Sequence, residues 1–434
     1  MNPESTEIFQ PEIRIKKLKL ENFRGFEQLE LEFHQDLTVL IGDNGAGKTA
    51  ILDCLAILLT VFQEQVIKRK KYLGEDINIL DIKQDKFETT NEICLSLKDK
   101  QEIGEMDWRI NFTRNAHSFK IYPDLLITLW DGITSRHLIY TENSSAQKNF
   151  PILIYYSISM AAFINFIDFK EAKYNFETDI LTTYDHALDK KAFNFTYFFE
   201  WYRWQENIEK QLGKNSTLDQ VRQAIYSLLS DEHNQFANLA INWLNNPNGE
   251  MLIQKNATVL NINQLSSGEK TLLALVADLA RRLAIANPHR EQPLTGNGIV
   301  LIDEIELHLH PRWQRDIIPR LRKTFPNCQF IVTTHSLLVL SNIQPDNIII
   351  LENFTALPNK HHSFGREVNS VLADIMGVSP RLEEMQTRID HCFNLIDKGE
   401  LTQAKALLEE LSKTLGSNDP DIVYGESLLN FMEE

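Results

Sequence analysis

One eight-residue loop, Gly42-Asp43-Asn44-Gly45-Ala46-Gly47-Lys48-Thr49, constrains this chain more than any other feature. It follows a short continuous apolar run, Leu37 to Ile41, the pattern of a buried central strand. It precedes Ala50 to Gln65, where Ile51, Leu55, Leu58, Leu59 and Phe62 recur at helical spacing. A glycine loop between a buried strand and a helix is the context in which this spacing cradles phosphate. The glycines let the backbone close around the oxygens, and successive N–H groups at the helix N-terminus supply positive potential. In that geometry Lys48 bridges the β- and γ-phosphates of a nucleotide and Thr49 sets its hydroxyl on Mg²⁺. Gly42, Asn44, Gly45, Gly47 and Ala50 line the same cradle.

A partner strand is expected in the second half. Ile299 to Ile302 is apolar and ends in Asp303-Glu304. Asp303 is placed to hold Mg²⁺ through water, and Glu304 to orient and deprotonate the attacking water. Phe330-Ile331-Val332-Thr333-Thr334-His335-Ser336 reads as another strand, ending in a histidine 31 residues after Glu304. Leu265-Ser266-Ser267-Gly268-Glu269 opens a strongly apolar helix, Thr271 to Ile285. Ser266 with Glu269 three residues on is a capping box, and the same loop can present a hydroxyl and N–H groups to an anion. His308 and His310 in Glu306 to Pro311 suit a metal, a structural role or a dimer contact, and the sequence supplies no third ligand.

Composition narrows the classes. The net charge is −16, which disfavours general nucleic-acid binding; the dense basic run Lys68-Arg69-Lys70-Lys71 reads as a solvated helix end. The four cysteines are far apart with no C-x-x-C pair, so neither a disulfide framework nor a zinc site is expected. No stretch reaches the roughly 18 uncharged apolar residues of a membrane span, so no membrane role is expected and the cytoplasm is the expected compartment.

Taken together, the glycine loop, the Ser266–Glu269 loop, Asp303-Glu304 and His335 resemble the ABC/SMC-type ATPases, over residues 12–60 and 260–352. Leu20-Glu21-Asn22-Phe23-Arg24-Gly25-Phe26 is similar to the opening of SMC-like heads, and Glu306 to Pro311 to a stretch of RecF- and OLD-like ATPases. The resemblance implies ATP and Mg²⁺ as cofactors and an α/β head: a mixed, largely parallel central sheet with an antiparallel β-subdomain. It implies that Ser266, Ser267, Gly268 and Glu269 grip the γ-phosphate of a nucleotide held by another copy of the chain. It implies that His335 is the switch histidine and that Arg24 contacts the nucleotide near its base or α-phosphate. The glutamine loop has no clear counterpart. By position it lies near Tyr155 to Met160, where there is no glutamine, and Gln84 is the nearest alternative.

The expected organisation is residues 1–159 and 260–364 as the two halves of the head, 160–259 as a helical insertion rich in Phe, Tyr and Trp, and 365–434 as a helical hairpin that docks a partner. An insertion of this length without sustained heptads excludes a long-armed SMC protein. Asp419-Pro420-Asp421 reads as a turn rather than a nuclease carboxylate pair. The apolar stripe Ala404, Leu407, Leu408 and Leu411 suits either partner docking or packing on the chain's own core. The short insertion, Glu306 to Pro311 and the tail from Glu367 to Val378 make the whole chain similar to the PtuA-type ATPase subunits of Septu and retron-associated anti-phage systems. That resemblance implies a homodimer or higher oligomer and a separate HNH nuclease of the PtuB type as partner. It further implies a reverse transcriptase with its RNA/DNA product in some systems, and DNA reached only through those partners. Two other classes are consistent with parts of the chain: a RecF-like repair ATPase that binds DNA directly, and a nuclease-ATPase with its site in the insertion.

Overall fold

The computed structural model describes residues 12–67, 77–99, 102–114, 120–122, 149–157, 180–190, 193–244, 246–358 and 381–433. The basic run at 68–71, residues 158–160 of the expected glutamine-loop position and the tail stretch 367–378 lie outside them. The chain divides into two compact units, Met1–Gly365 and Arg366–Glu434.

In the first unit, β1 (Glu12–Glu21) pairs antiparallel with β2 (Gln28–Glu32), whose Leu29 and Leu31 are buried and Glu30 exposed. The almost entirely buried β3 (Leu37–Gly42) lies elsewhere, in a second sheet, and leads through the glycine loop into α1 (Lys48–Ile67). The chain then returns through β4 (Glu88–Asp99), β5 (Glu102–Thr113) and β6 (Lys120–Tyr122), giving an antiparallel sheet in the order β2-β1-β4-β5-β6. After β7 (Ile152–Tyr156) come α2 (Thr196–Leu212) and α3 (Ser216–Leu229). Beyond these expected helices, the insertion adds β8 (Phe236–Asn242), β9 (Glu250–Lys255) and β10 (Thr258–Asn261), a three-stranded antiparallel sheet. Its hairpins turn at Gly249 and Asn256, both with positive φ.

The second half holds α4 (Ser267–Ala286), β11 (Gly298–Ile302), α5 (Pro311–Thr324), β12 (Cys328–Thr333), β13 (Ile348–Glu352) and β14 (Thr355–Pro358). The central sheet has the order β14-β13-β3-β12-β11-β7, and only the edge strand β14 is antiparallel. The strands that end in Gly42, Ile302 and Thr333 are therefore neighbours, and their carboxyl ends share one edge, where ligands of open α/β sheets bind. Helix α1 is apolar nearly all round because it is covered twice. The antiparallel sheet lies on one side, with Trp108 donating to the Leu58 carbonyl at 3.2 Å, and the central sheet lies on the other.

The second unit is three helices, α6 (Glu383–Asp397), α7 (Leu401–Leu415) and α8 (Pro420–Glu433), so the expected hairpin gains a third member. Ala404, Leu408 and Leu411 are buried against Ile389, Cys392, Ile396, Ile422 and Leu429, so the α7 stripe serves the unit's own core. Asp419 and Asp421 both pair with Arg381 at 2.7 Å and start α8. No helix among the described residues is long and apolar enough to cross a membrane.

Candidate functional site

The glycine loop sits where the carboxyl ends of β3 and β12 meet. Gly47 has φ of +104°, and a side chain there would collide with the Phe26 ring, so glycine is needed twice over. Phe26 in turn packs edge-on against Phe354, with ring centroids 5.2 Å apart, which brings the Asn22–Phe26 segment to the loop. Lys48 Nζ donates to the carbonyls of Gly42 and Asp43 at 2.7 and 3.1 Å. Burial lowers its pKa, against the opposing charges of Glu304, Asp303, Asp43 and Glu306.

Thr49 Oγ1 donates to Asp303 Oδ2 at 2.9 Å, across 254 residues of sequence. The other carboxylate oxygen, Oδ1, accepts from Thr333 at 2.6 Å. Burial raises the Asp303 pKa, opposed by these two hydroxyls. A hydroxyl and a carboxylate side by side beside a phosphate cradle are the hard oxygen donors that Mg²⁺ takes, so this pair fits the implied ion.

Glu304 adopts a left-handed backbone, φ +52°, and its N–H donates to Thr333 Oγ1 at 2.8 Å. Thr333 thus orients both acidic residues. Glu304 Oε1 lies 3.0 Å from His335 Nε2. Burial, then the charges of Glu306 and Asp303, push the Glu304 carboxyl up to about 7. Burial and the Lys48 charge lower the pKa of His335, which favours the neutral ring. The structure therefore brings Lys48, Thr49, Asp303, Glu304 and His335 into one cluster.

Ser266, Ser267, Gly268 and Glu269 form the N-terminus of α4. The capping box is complete: Ser266 Oγ accepts from the Glu269 N–H, and Glu269 Oε2 accepts from the Ser266 N–H at 2.8 Å. Burial alone would raise the Glu269 carboxyl, but Lys255 at 2.6 Å and Ser266 outweigh it and hold it below its ordinary value. Ser266 and Ser267 are exposed, so the positive end of this long helix faces outward. A side chain on Gly268 would strike the His308 carbonyl oxygen. The loop that follows Glu304 and the α4 N-terminus are thus packed against each other. His308 adopts φ of +64°, and His310 caps α5 through the Arg312 N–H.

Arg24 is tied beside the loop. Its Nη1 pairs with Asp53 at 2.7 Å and its Nε with Asp81 at 2.9 Å. Asp53, one turn along α1 from Thr49, also accepts from Tyr155 at 2.9 Å and Lys190 at 3.1 Å. At the position expected for a glutamine loop, Ser157 donates to the Lys190 carbonyl at 2.6 Å, while Gln84 lies exposed in a surface turn. Thr333, Asp53, Tyr155 and Lys190 carry no sequence signal of their own; only the sheet order brings them to the motifs.

A family model described as "AAA domain, putative AbiEii toxin, Type IV TA system" matches residues 37–341, which include every one of these motifs except Arg24. The chain belongs to this AAA-domain family. Among its relatives, the probable ATPase of retron Ec83 from Escherichia coli is 30% identical, spanning 95% of this chain and 86% of that protein. The probable ATPase of retron Vc95 from Vibrio cholerae serotype O1 biovar El Tor is 29% identical, over 93% of this chain and 87% of that one. The Septu protein PtuA of Bacillus thuringiensis is 23% identical over 84% of each. The activity of this AAA-domain chain is ATP hydrolysis.

Proposed function

We propose that this ATPase is the sensor subunit of an anti-phage defence complex, in which nucleotide state gates an associated HNH nuclease. Two copies clasp two ATP molecules, each between one chain's glycine loop and the other's Ser266–Glu269 loop. The observation that supports the dimer is the α4 N-terminus: a capped helix end whose Ser266 and Ser267 are exposed, where N–H groups and hydroxyls could receive a phosphate from a second copy. The defence role rests on the likeness to the retron ATPases and to PtuA.

Within the nucleotide site, Lys48 and the loop amides hold the phosphates, and Thr49 and Asp303 carry Mg²⁺. Glu304 takes a proton from the attacking water, and His335 contacts the γ-phosphate. Arg24 closes the nucleotide side of the loop. Lys48→Ala is expected to weaken Mg·ATP binding by at least about tenfold, since a charge-assisted contact to phosphate is lost. Fluorescent-nucleotide titration reads this directly, and unchanged affinity would remove Lys48 from the site.

The nuclease is expected to dock on the second unit. Helix α8 buries Ile422 and Leu429 but leaves Val423, Tyr424, Phe431 and Met432 exposed, so it is apolar on a second face. Co-expression with a PtuB-type HNH nuclease tests the proposal. The expected results are a complex lost in Tyr424→Glu/Phe431→Glu, and DNA cleavage that is restrained by bound ATP and released without it. Cleavage indifferent to nucleotide would overturn the gating.

One observation favours direct DNA contact as a second reading. Arg312, Arg315, Arg322 and Lys323 stand exposed on one side of α5. Duplex affinity of the isolated chain that is tight and falls steeply with salt would favour it.

A further inference from the structure

The loop after β11 carries a third carboxylate, and its bonds run across to the neighbouring strand. Glu306 Oε1 accepts from the His335 N–H at 2.6 Å, and Oε2 accepts from the Thr334 hydroxyl, also at 2.6 Å. The ring of the same histidine reaches back to Glu304 Oε1 at 3.0 Å. Two acids two residues apart on one loop thus hold His335 at both ends, by its backbone and by its ring.

His335 needs such a clip. Strand β12 ends at Thr333, so no ladder bond fixes the histidine backbone. The acidic loop is itself rigid where it meets the strand. Ile305 N–H donates to the Thr333 carbonyl at 3.1 Å, Leu307 N–H to that of Glu304 and Leu309 N–H to that of Glu306, each at 2.9 Å. A rigid loop presenting a bidentate acceptor transfers its own position to whatever it binds.

We propose that Glu306 is a positioning residue for ATP hydrolysis: by gripping the His335 amide and the Thr334 hydroxyl, it sets the distance between the His335 ring and the Glu304 carboxylate. This rests on the roles given above to Glu304 and His335. Small displacements of a reacting group cost up to about 100-fold in rate. Glu306→Ala should therefore lower kcat by about 10- to 100-fold while KM and Mg·ATP affinity stay unchanged.

A loop staple with no link to the histidine would also slow the enzyme when removed, so a double-mutant cycle decides. If Glu306 works through His335, Glu306→Ala/His335→Ala is no slower than His335→Ala alone. Glu306→Gln, which keeps an acceptor for the amide, recovers most of the lost kcat. If Glu306→Ala does not fold, Glu306→Asp, which keeps the charge but is one methylene shorter, takes its place in the cycle. Losses that multiply in the double variant, or a Glu306→Gln as slow as Glu306→Ala, overturn the proposal and leave the site assignment standing. A His335→Ala with normal kcat brings down the role of His335 itself, and Glu306 with it.

Discussion

Glu304→Gln is expected to slow ATP turnover by about 10²- to 10⁴-fold while Mg·ATP stays bound. Glutamine keeps the size of the side chain and leaves the backbone bond from residue 304 to Thr333 in place, but its amide cannot take a proton from water. The Thr49–Asp303 pair and the Lys48 contacts do not involve the Glu304 side chain, so nucleotide affinity is preserved. With hydrolysis blocked, ATP should accumulate at the site, and the proposed two-copy clasp predicts a larger dimer fraction in sedimentation with ATP than for the unaltered protein. The pH dependence has a definite sign. Burial, Glu306 and Asp303 push Glu304 up to about 7, and the proposed base must be ionised, so kcat is expected to fall as pH drops through that range. A Mg²⁺ ion held by Asp303, as proposed, would offset part of the shift and move the acid limb lower. Normal turnover by Glu304→Gln in a stopped phosphate-release assay would end its assignment as the base.

The residues proposed as reacting groups were picked out because each belongs to a local pattern. A glycine loop, a strand ending in two acids, a capped helix and a strand ending in histidine can each be read within ten residues. Their supports were not legible, because they are set by strand order. Thr333 serves Asp303 and Glu304 only because β12 lies beside β11, and Asp53 meets Lys190 across 137 residues. Arg24 shows the same limit. Its motif pointed to the nucleotide, and the structure adds two carboxylates that hold it against α1. The sheet at residues 236–261 was obscured by short strands of four to seven residues among asparagines, in a region whose aromatic and charged residues suggested helix. The α7 stripe was a true amphipathic signal whose partner periodicity cannot name. It packs on α6 and α8, while α8 is the helix with apolar surface to spare.

Asp278→Ala is expected to be among the most damaging substitutions for stability, at about 3–5 kcal/mol. Asp278 lies in the middle of α4, 4% exposed, between Arg281 and Arg282, each 5% exposed. Its Oδ1 accepts from Arg281 at 2.8 Å, and its Oδ2 from Arg282 at 2.8 Å and from the Tyr156 hydroxyl at 3.0 Å. Arg282 also donates to the carbonyls of Thr183 and Asp185, so one carboxylate joins α4, the end of β7 and the segment at 183–185. Alanine would leave the Arg281 guanidinium out of water without its carboxylate and Arg282 with only the charge of Asp185 nearby, and a buried charge that loses its partner costs far more than the pair is worth. Burial alone would raise this carboxyl, but Arg282 and Arg281 hold it down to about 2. A depressed folded pKa contributes stability above the unfolded value of about 3.9, and that contribution is lost as pH falls toward 2. Urea midpoints measured at neutral pH should therefore drop sharply in Asp278→Ala, and the variant should lack this component of acid sensitivity. Tyr156→Phe removes one bond of the three and should cost only about 1 kcal/mol. A midpoint for Asp278→Ala equal to that of Tyr156→Phe would mean that water reaches the two arginines, and that α4 is held by its apolar faces alone.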